Sequence, residues 1–320
     1  MASRELMPAA PRSRGDGRLI HASGLQKSTS NATQATVRMP GTCGELVQGR
    51  IDGVRFHVSC PIDIFSEVTL ELVEGRDVWS FPPDAPKAAR AARATLRYLG
   101  LRGCGGRLSI RSSLPRGKGM GSSTADVAGA IHAVFAAANR AASTDEVADL
   151  ALGVEPTDGS FLPGIALFDH RAGLIREPLG PPPPIGIVAL DFGGEVDTLE
   201  FNARNHEKEL IQLEPQFTTA LELVRKGLAT GDVSLIGRAA TLSALANQAI
   251  LPKPRLPDVL AFAERIGALG VNVGHSGTVV GVLLDPSRHD LPTVESQLRR
   301  EFPDLCRTWR CRLIGGGAQL

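Results

Sequence analysis

The sequence predicts a two-domain protein that mixes helices and strands in both halves, of the α/β or α+β class. A chain of 320 residues is long for one average domain and sufficient for two, each with its own core. Segments with the apolar pattern of strands alternate with segments that carry the helical pattern. Four consecutive prolines at 181–184 mark a boundary, because proline continues neither a helix interior nor a central strand. We therefore expect an N-terminal domain at 35–180, a C-terminal domain at 185–320 and a tail at 1–34.

The predicted tail lacks a sustained apolar helical face, so we expect a disordered or mis-started segment. It also lacks the apolar centre of a signal peptide, and nowhere does the chain have the roughly 18 apolar residues of a membrane span. The 5 cysteines are irregularly spaced and match no zinc or disulfide pattern. We expect reduced thiols in a cytoplasmic protein.

The charges of the chain are nearly balanced, with 35 basic and 34 acidic residues and a net charge of +1. This balance gives no global electrostatic reason to expect nucleic acid or an anionic membrane as a partner. A local anion site remains compatible with it. We expect a monomer or a homodimer.

The elements of the first half are predicted from local pattern. Strands begin near Ala35 and break at Pro40 and again at Pro61. A helix covers 86–100, and a strand then leads to a glycine-rich loop and a second helix. The run Ser143 to Glu146 has the residues of a capping box and predicts a third helix through Leu152.

The second half begins with a buried strand directly after the prolines. Helices are predicted near 205–226, 231–250 and 257–269. A strand, a glycine turn and another strand follow over 270–284, and a final strand lies near the C-terminus.

The loop "LPRGKGMGSSTAD" (114–126) is the first candidate site. A strand, a glycine-rich turn and a helix start bring backbone N–H groups toward an anion, and the helix dipole favours negative charge there. The loop matches neither the P-loop, since Lys118 is followed by glycine, nor the dinucleotide fingerprint, since Ser122 stands where the third glycine belongs. From the residues alone, a phosphate loop and a structural turn remain equal alternatives.

The same string resembles the second motif of the GHMP kinases, named for galactokinase, homoserine kinase, mevalonate kinase and phosphomevalonate kinase. That motif has the pattern Pro-x-x-x-Gly-Leu-Gly-Ser-Ser-Ala, and Met120 and Thr124 here replace the leucine and the alanine. The resemblance implies that this loop binds ATP. The implied nucleotide-binding residues are Pro115, Arg116, Gly117, Lys118, Gly119, Met120, Gly121, Ser122, Ser123 and Thr124.

Two further stretches resemble the other motifs of this family in the expected order. "MPGTCGELVQG" (39–49) is similar to the first motif, and "GVNVGHSGTVVGVLL" (270–284) to the third. The first motif often has a basic residue after Pro-Gly, whereas this chain has Thr42 and Cys43. The implied fold is the α+β two-domain GHMP kinase fold, with a ribosomal protein S5 domain 2-like N-terminal domain and a ferredoxin-like α/β sandwich at the C-terminus.

A narrower resemblance concerns the acceptor. "PGTCGELVQG", "SCPID", "GMGSSTAD", "EPTDG" and "LFDH" together look like the L-threonine kinases of cobalamin biosynthesis and propanediol utilisation. This implies ATP- and Mg²⁺-dependent phosphorylation of the side-chain hydroxyl of free L-threonine. A homoserine kinase-like enzyme and a nucleotide-binding protein without transfer activity are the alternatives.

The resemblance also implies roles for the acidic residues. Ser123, with Ser122 as its alternative, and Glu155 are expected to hold Mg²⁺, which prefers oxygen ligands. Asp158 is expected next to the acceptor hydroxyl, with Glu155 beside it as the second catalytic acid; Asp158 as a simple turn residue is the alternative. If Asp158 is the base, Glu146 on the preceding helix is a second candidate for the metal. A base is itself optional, because a loose transition state requires little deprotonation.

An amino acid acceptor needs partners for its ammonium and its carboxylate groups. Candidates are the acidic and amide side chains near the expected cleft, and His275 is a candidate phosphate contact or a structural residue of its glycine turn. The acidic and amide candidates are Glu45, Gln48, Asp63, Asp191 and Asp197.

Overall fold

The computed structural model describes residues 32–73, 79–101, 103–194 and 206–319. Six of the seven long helices in these ranges were predicted, in this order, and the last was not. The seven are α1 (Pro86–Tyr98), α2 (Ser122–Ala137), α3 (Thr144–Leu152), α4 (Glu207–Thr230), α5 (Val233–Ala246), α6 (Leu256–Ile266) and α7 (Leu291–Glu301). Within these ranges, none of the helices combines the length and apolar character that a membrane crossing demands.

The strands form one sheet that runs through both halves of the molecule. Its neighbours follow the order β10-β7-β9-β8-β1-β2-β4-β3, with β5 and β6 attached beside β2. The strands are β1 (Ala32–Ile51), β2 (Val54–Val73), β3 (Trp79–Ser80), β4 (Gly105–Ser112), β5 (Ile165–Phe168), β6 (Arg176–Gly180), β7 (Gly186–Asp191), β8 (Gly270–Val273), β9 (Val280–Leu284) and β10 (Arg307–Arg312). This mixture of helices and one mainly antiparallel sheet confirms the predicted α+β class.

The hairpin β1–β2 is the longest feature of the sheet. Asp52 and Gly53 form its turn with φ values of 48° and 82°, which suits the twist of the two flanking strands. The predicted break at Pro61 is wrong, because β2 continues through it. The register between β1 and β2 shifts between Thr42 and Glu45, directly after the Thr42–Pro61 pair, and a missing ladder N–H is tolerated at such an irregular position.

The two halves share their central core. Phe56 and Ile62 of β2 pack in one cluster with Ile187 of β7 and Phe217 of α4. A second cluster lies under α1, α2 and α3, and a third under α6 and α7. The sheet passes from one half to the other where Glu45 of β1 pairs with Val273 of β8.

Local signals placed several elements correctly. The Ser143 hydroxyl caps α3 by accepting from Glu146 N–H, and the Glu146 carboxylate accepts from Ser143 N–H. These two bonds confirm the predicted capping box. β1 begins at Ala32, three residues before the predicted start of order. The sequence reasoning missed α7, although Asp290 caps it and Pro292 lies in its first turn.

Candidate active site

The glycine loop lies between β4 and α2. Gly117, Gly119 and Gly121 have φ values of 71°, 79° and 67°, a region that favours glycine. Because Gly121 is the N-cap and α2 begins at Ser122, the first-turn N–H groups of α2 emerge directly from the loop. The loop therefore has the backbone geometry that suits a phosphate.

The first and third motifs hold this loop through backbone hydrogen bonds. Thr42 N–H donates to the Met120 carbonyl (3.0 Å), and Gly44 N–H donates to the Gly119 carbonyl (3.3 Å). From the other side, Val279 N–H donates to the Lys118 carbonyl (3.0 Å). The three motifs that the sequence predicted therefore meet in space.

Ser123 and Glu155 form a pair at the start of α2. The Ser123 hydroxyl donates to Oε1 of Glu155, and the Lys87 ammonium contacts Oε2 of the same carboxylate. A serine hydroxyl and a carboxylate are the oxygen ligands that Mg²⁺ takes beside phosphates. The residues present thus fit the ion, and Lys87 occupies the second oxygen of Glu155.

Asp158 is tied to the residue next to Ser123. Thr124 Oγ1 accepts hydrogen bonds from Asp158 N–H (3.2 Å) and from the Thr157 hydroxyl (3.0 Å). The Asp158 side chain makes no capping hydrogen bond to the short 3₁₀ turn that follows it, so its carboxylate is not used as a turn cap. Its Oδ1 instead lies 3.4 Å from His57 Nδ1.

Glu45 is the second acid beside His57. Its side chain is 3% exposed, its Oε1 lies 3.7 Å from His57 Nδ1, and its Oε2 has no hydrogen-bond partner among the described residues. Burial raises the pKa of the Glu45 carboxyl well above its ordinary value, and the charge of Asp158 raises it further. Two carboxylates thus converge at a place where a cation would stabilise both.

Three histidines continue the wall from this acidic end. The rings of His57 and His170 stack with centroids 3.9 Å apart, and His275 lies 4.3 Å from His57. Burial lowers the pKa of His170 and of His275 well below the ordinary value, and His57 adds to both effects. Because the rings of His57 and His170 are stacked with planes that differ by only 9°, a metal ion in the plane of one ring would lie out of the plane of the other. The ring nitrogens of His57 and His170 have no hydrogen-bond partner among the described residues, so a bound ligand could contact them.

A cavity beside the histidines is lined by His170 and His275 and by two arginines, Arg55 and Arg171. Arg55 forms an ion pair with Glu207 (3.0 Å). Among the described residues, no carboxylate forms such a pair with the Arg171 guanidinium. Burial lowers the pKa of Arg171, and the charge of Arg55 lowers it further. The lining residues are Gln48, Gly49, Arg55, His170, Arg171, His206, Leu210, Phe217, Asn247, Ile250 and His275.

Several residues that the sequence singled out have structural partners. Lys118 binds Asp191 (3.2 Å), and Arg116 binds Asp84 (3.2 Å). Asp63 accepts from Arg312 N–H (2.8 Å), which removes it from the candidate pocket. Asp197 lies outside the described residues.

Glu146 has other neighbours than the loop. Its Oε2 accepts from the Ser143 hydroxyl (2.8 Å) and its Oε1 from the Tyr98 hydroxyl (2.9 Å). Both oxygens thus belong to the start of α3 and to α1. Ser122, the alternative to Ser123, has no contact with Glu155 comparable to that of Ser123.

Sequence reasoning missed His57, His170, Lys87 and Lys253, a buried lysine beside the third motif. The string "LFDH" carried a signal for His170, because it was part of the resemblance. His57 and Lys253 stand in ordinary strand and loop contexts, so nothing local distinguishes them.

The matches with known proteins agree with this geometry. "GHMP kinases N terminal domain" matches residues 86–163, and "GHMP kinases C terminal" matches residues 224–304. The chain belongs to the GHMP kinase family and is a small-molecule kinase.

The relatives point to one group within that family. The chain is 34% identical to an L-threonine kinase of Salmonella typhimurium, over 89% of this chain and 95% of the relative. It is 32% identical to an L-threonine kinase of Citrobacter freundii, over 89% and 99%.

Solved structures support the fold alone. The L. major mevalonate kinase in complex with R-mevalonate has a TM-score of 0.68 at 17% identity and covers 91% of this chain and 99% of its own. A homoserine kinase from Cytophaga hutchinsonii has a TM-score of 0.67 at 17% identity, with coverage of 92% and 98%.

Proposed function

We propose that this kinase transfers the terminal phosphate of ATP to the side-chain hydroxyl of free L-threonine. The product, O-phospho-L-threonine, would supply the aminopropanol linker of cobalamin. Two relatives named L-threonine kinase, at 34% and 32% identity, support the acceptor. The glycine loop at the start of α2 supports the nucleotide.

The observation that carries this proposal is the arrangement of two acids beside the phosphate loop. Ser123 contacts Glu155, and the next residue, Thr124, holds the backbone of Asp158. Two consecutive residues of α2 therefore anchor the acid proposed for the metal, Glu155, and the acid proposed for the acceptor alcohol, Asp158. Phosphoryl transfer needs little more than these two functions.

The proposed reaction uses each residue for one task. Ser123 and Glu155 would hold Mg²⁺, which would neutralise phosphate charge when bound. Asp158 orients the acceptor hydroxyl and takes its proton while the new P–O bond forms. The bond between the terminal phosphorus and the bridging oxygen breaks, and ADP leaves with that oxygen. The N–H groups at the start of α2 stabilise the negative charge of the phosphates.

The walls around Asp158 suit a small zwitterion. The carboxyl groups of Glu45 and Asp158 both lie beside His57, and Arg171 lies with His170 and His275 in the lining of the cavity. The α-ammonium of threonine would lie between the two carboxylates, close to the hydroxyl on its neighbouring carbon. Its α-carboxylate would face the arginine end of the cavity.

A substrate comparison tests the reaction. The purified protein is incubated with ATP and Mg²⁺ and with L-threonine, L-serine or L-homoserine, and ADP release is measured. We expect L-threonine to give the highest kcat/KM and O-phosphothreonine as product. Homoserine-stimulated release without a threonine response would favour a homoserine kinase, and no stimulated release at all would favour a non-catalytic nucleotide-binding protein.

A second comparison tests the acidic end of the pocket. We expect Glu45→Gln to lower kcat/KM for L-threonine at least about 10-fold, because a buried carboxylate that contacts an ammonium is lost. The same variant should leave kcat/KM for 3-hydroxybutyrate, which has no ammonium, almost unchanged. Equal losses with both acceptors would show that Glu45 acts on the fold of the site instead.

A further inference from the structure

The cations around the phosphate loop are already paired. Lys118 binds Asp191, Arg116 binds Asp84 and Asp126, and Lys87 contacts Glu155. The first motif adds no charge, since Thr42 and Cys43 are neutral and buried. A polyanion bound at this loop would need a cation from elsewhere, because charge on the transferred phosphoryl group must be stabilised.

Lys253 is a buried lysine that has no acidic partner among the described residues. It is 7% exposed, and its ammonium donates only to the Leu251 carbonyl, at 3.4 Å. Among the described residues no carboxylate lies within 4.0 Å of that ammonium. A lysine with this burial is rare unless it is paired, so an anion from outside the chain would complete its environment.

The backbone of Lys253 is fixed. Its N–H donates to Oε1 of Gln248 (2.6 Å), and its carbonyl accepts from Leu256 N–H (3.0 Å) at the start of α6. Two rigid helices, α5 and α6, thus flank the residue. The Lys253 side chain therefore extends from a well-held point of the backbone.

Lys253 lies beside the third motif. It lines one groove together with Gly194, Gly277 and Thr278. Gly277 packs against Gly119 of the phosphate loop so closely that a Cβ there would lie 2.2 Å from Gly119 N. The charge of Lys253 also contributes to the lowered pKa of His275, which lies 4.3 Å from His57. Lys253 therefore lies near the glycine loop, through Gly277, and near the three histidines, through His275.

We propose that Lys253 binds the terminal phosphate of ATP and stabilises the phosphoryl group during transfer. Lys253 would thus contribute positive charge from the C-terminal half of the chain. The inference rests on the proposed use of ATP.

Nucleotide binding by Lys253→Met, measured by calorimetry, tests the inference. We expect the affinity for a non-hydrolysable β,γ-imido analogue of ATP to fall at least about 10-fold, since a charge-assisted contact is lost. ADP affinity should stay near that of the wild type, because ADP lacks the γ-phosphate that Lys253 is proposed to contact. Lys253→Arg should restore part of the lost affinity and of kcat. Removing an unpaired buried charge should leave the free protein at least as stable to heat as the wild type.

The outcomes separate this inference from the proposed reaction. A variant that keeps the wild-type preference for the analogue over ADP would overturn the role of Lys253 alone. Equal losses for ADP and the analogue would show a structural role and would also overturn it. A wild-type protein that binds neither nucleotide would overturn the proposed use of ATP together with this inference.

Discussion

Glu155 and Glu146 are both predicted from the sequence as candidate ligands of the same magnesium ion. The structure gives them different neighbours: Glu155 contacts Ser123 and Lys87, whereas Glu146 contacts Ser143 and Tyr98. We expect Glu155→Gln to raise the Mg²⁺ concentration for half-maximal activity at least about 10-fold, because one ligand loses its charge. A Mg²⁺ titration of initial rates measures this change.

Glu146→Gln is the matched control. It should leave the Mg²⁺ titration unchanged and lower the free energy of unfolding by about 0.5–1 kcal/mol, because it weakens the capping box of α3. The reverse pattern, with only Glu146→Gln shifting the titration, would assign the metal to the other acid.

His132 provides a pH-dependent contribution to stability. It lies on α2, its Nε2 has no hydrogen-bond partner among the described residues, and burial lowers its pKa to about 4 from an ordinary value of 6.5. As the pH falls from about 6.5 to about 4, His132 becomes protonated in the unfolded chain but stays neutral in the folded protein. Stability is unaffected above this window and decreases through it, by up to about 3 kcal/mol.

Urea unfolding of the wild type and of His132→Gln at pH 7 and pH 4.5 measures this effect. We expect the variant to lose less stability between the two pH values than the wild type, by about 2 kcal/mol. An identical loss in both proteins would show that other groups cause the acid sensitivity.

The site residues that the sequence predicted differ in one respect from the site residues that it missed. Ser123, Glu155 and Asp158 stand in short strings that resemble motifs of a kinase family, and the resemblance implied their roles. His57, His170 and Lys253 reach the site from β2, from the segment after β5 and from the loop before α6. Their meeting depends on long-range pairing and burial, which no local pattern encodes.

At the scale of elements, helices were easier to predict than strands. The apolar spacing of α1 and α2 and the capping box of α3 are local signals, and the structure has these helices within a few residues of the predictions. β1 and β2 instead continue through Pro40 and Pro61, because pairing along 20 residues outweighs the local interruption. Strand continuity is decided by partners that are distant in sequence.

The contact between the second and third motifs leaves no room for a methyl group at position 277. A Cβ at position 277 would lie 2.2 Å from Gly119 N and 2.3 Å from Gly119 Cα, and backbone atoms cannot rotate away. We expect Gly277→Ala to displace the phosphate loop and to raise KM for ATP at least about 10-fold, with a smaller change in KM for threonine. Steady-state kinetics with each substrate varied in turn measures both values.

Gly117→Ala separates loop displacement from backbone strain. A Cβ at position 117 meets no atom within 4 Å, although its φ of 71° disfavours alanine by about 1–2 kcal/mol. This variant should lose some stability and keep its KM for ATP. A KM change as large as that of Gly277→Ala would mean that strain, and not the contact with Gly119, controls the loop.

At the scale of the whole molecule, the candidate site lies where the two predicted domains join. Glu45 pairs with Val273 at the passage from β1 to β8, and the central core draws on both halves. The sequence suggested two domains from its length and its four prolines, yet it contains no sign that one sheet would connect them. Such a connection arises from strand order, which is a property of the assembled chain.

The shared sheet and core predict that both halves unfold together. The chain has 2 tryptophans, Trp79 in β3 and Trp309 in β10, which are strands at opposite ends of the sheet order. Trp79→Phe and Trp309→Phe each leave one fluorescent reporter, so urea unfolding can be followed separately at the two ends. We expect coincident transitions, because loss of either half exposes the core residues Phe56 and Phe217 to water. Midpoints that differ by more than about 0.5 M urea would show instead that the halves unfold independently, as they do in many chains of this length.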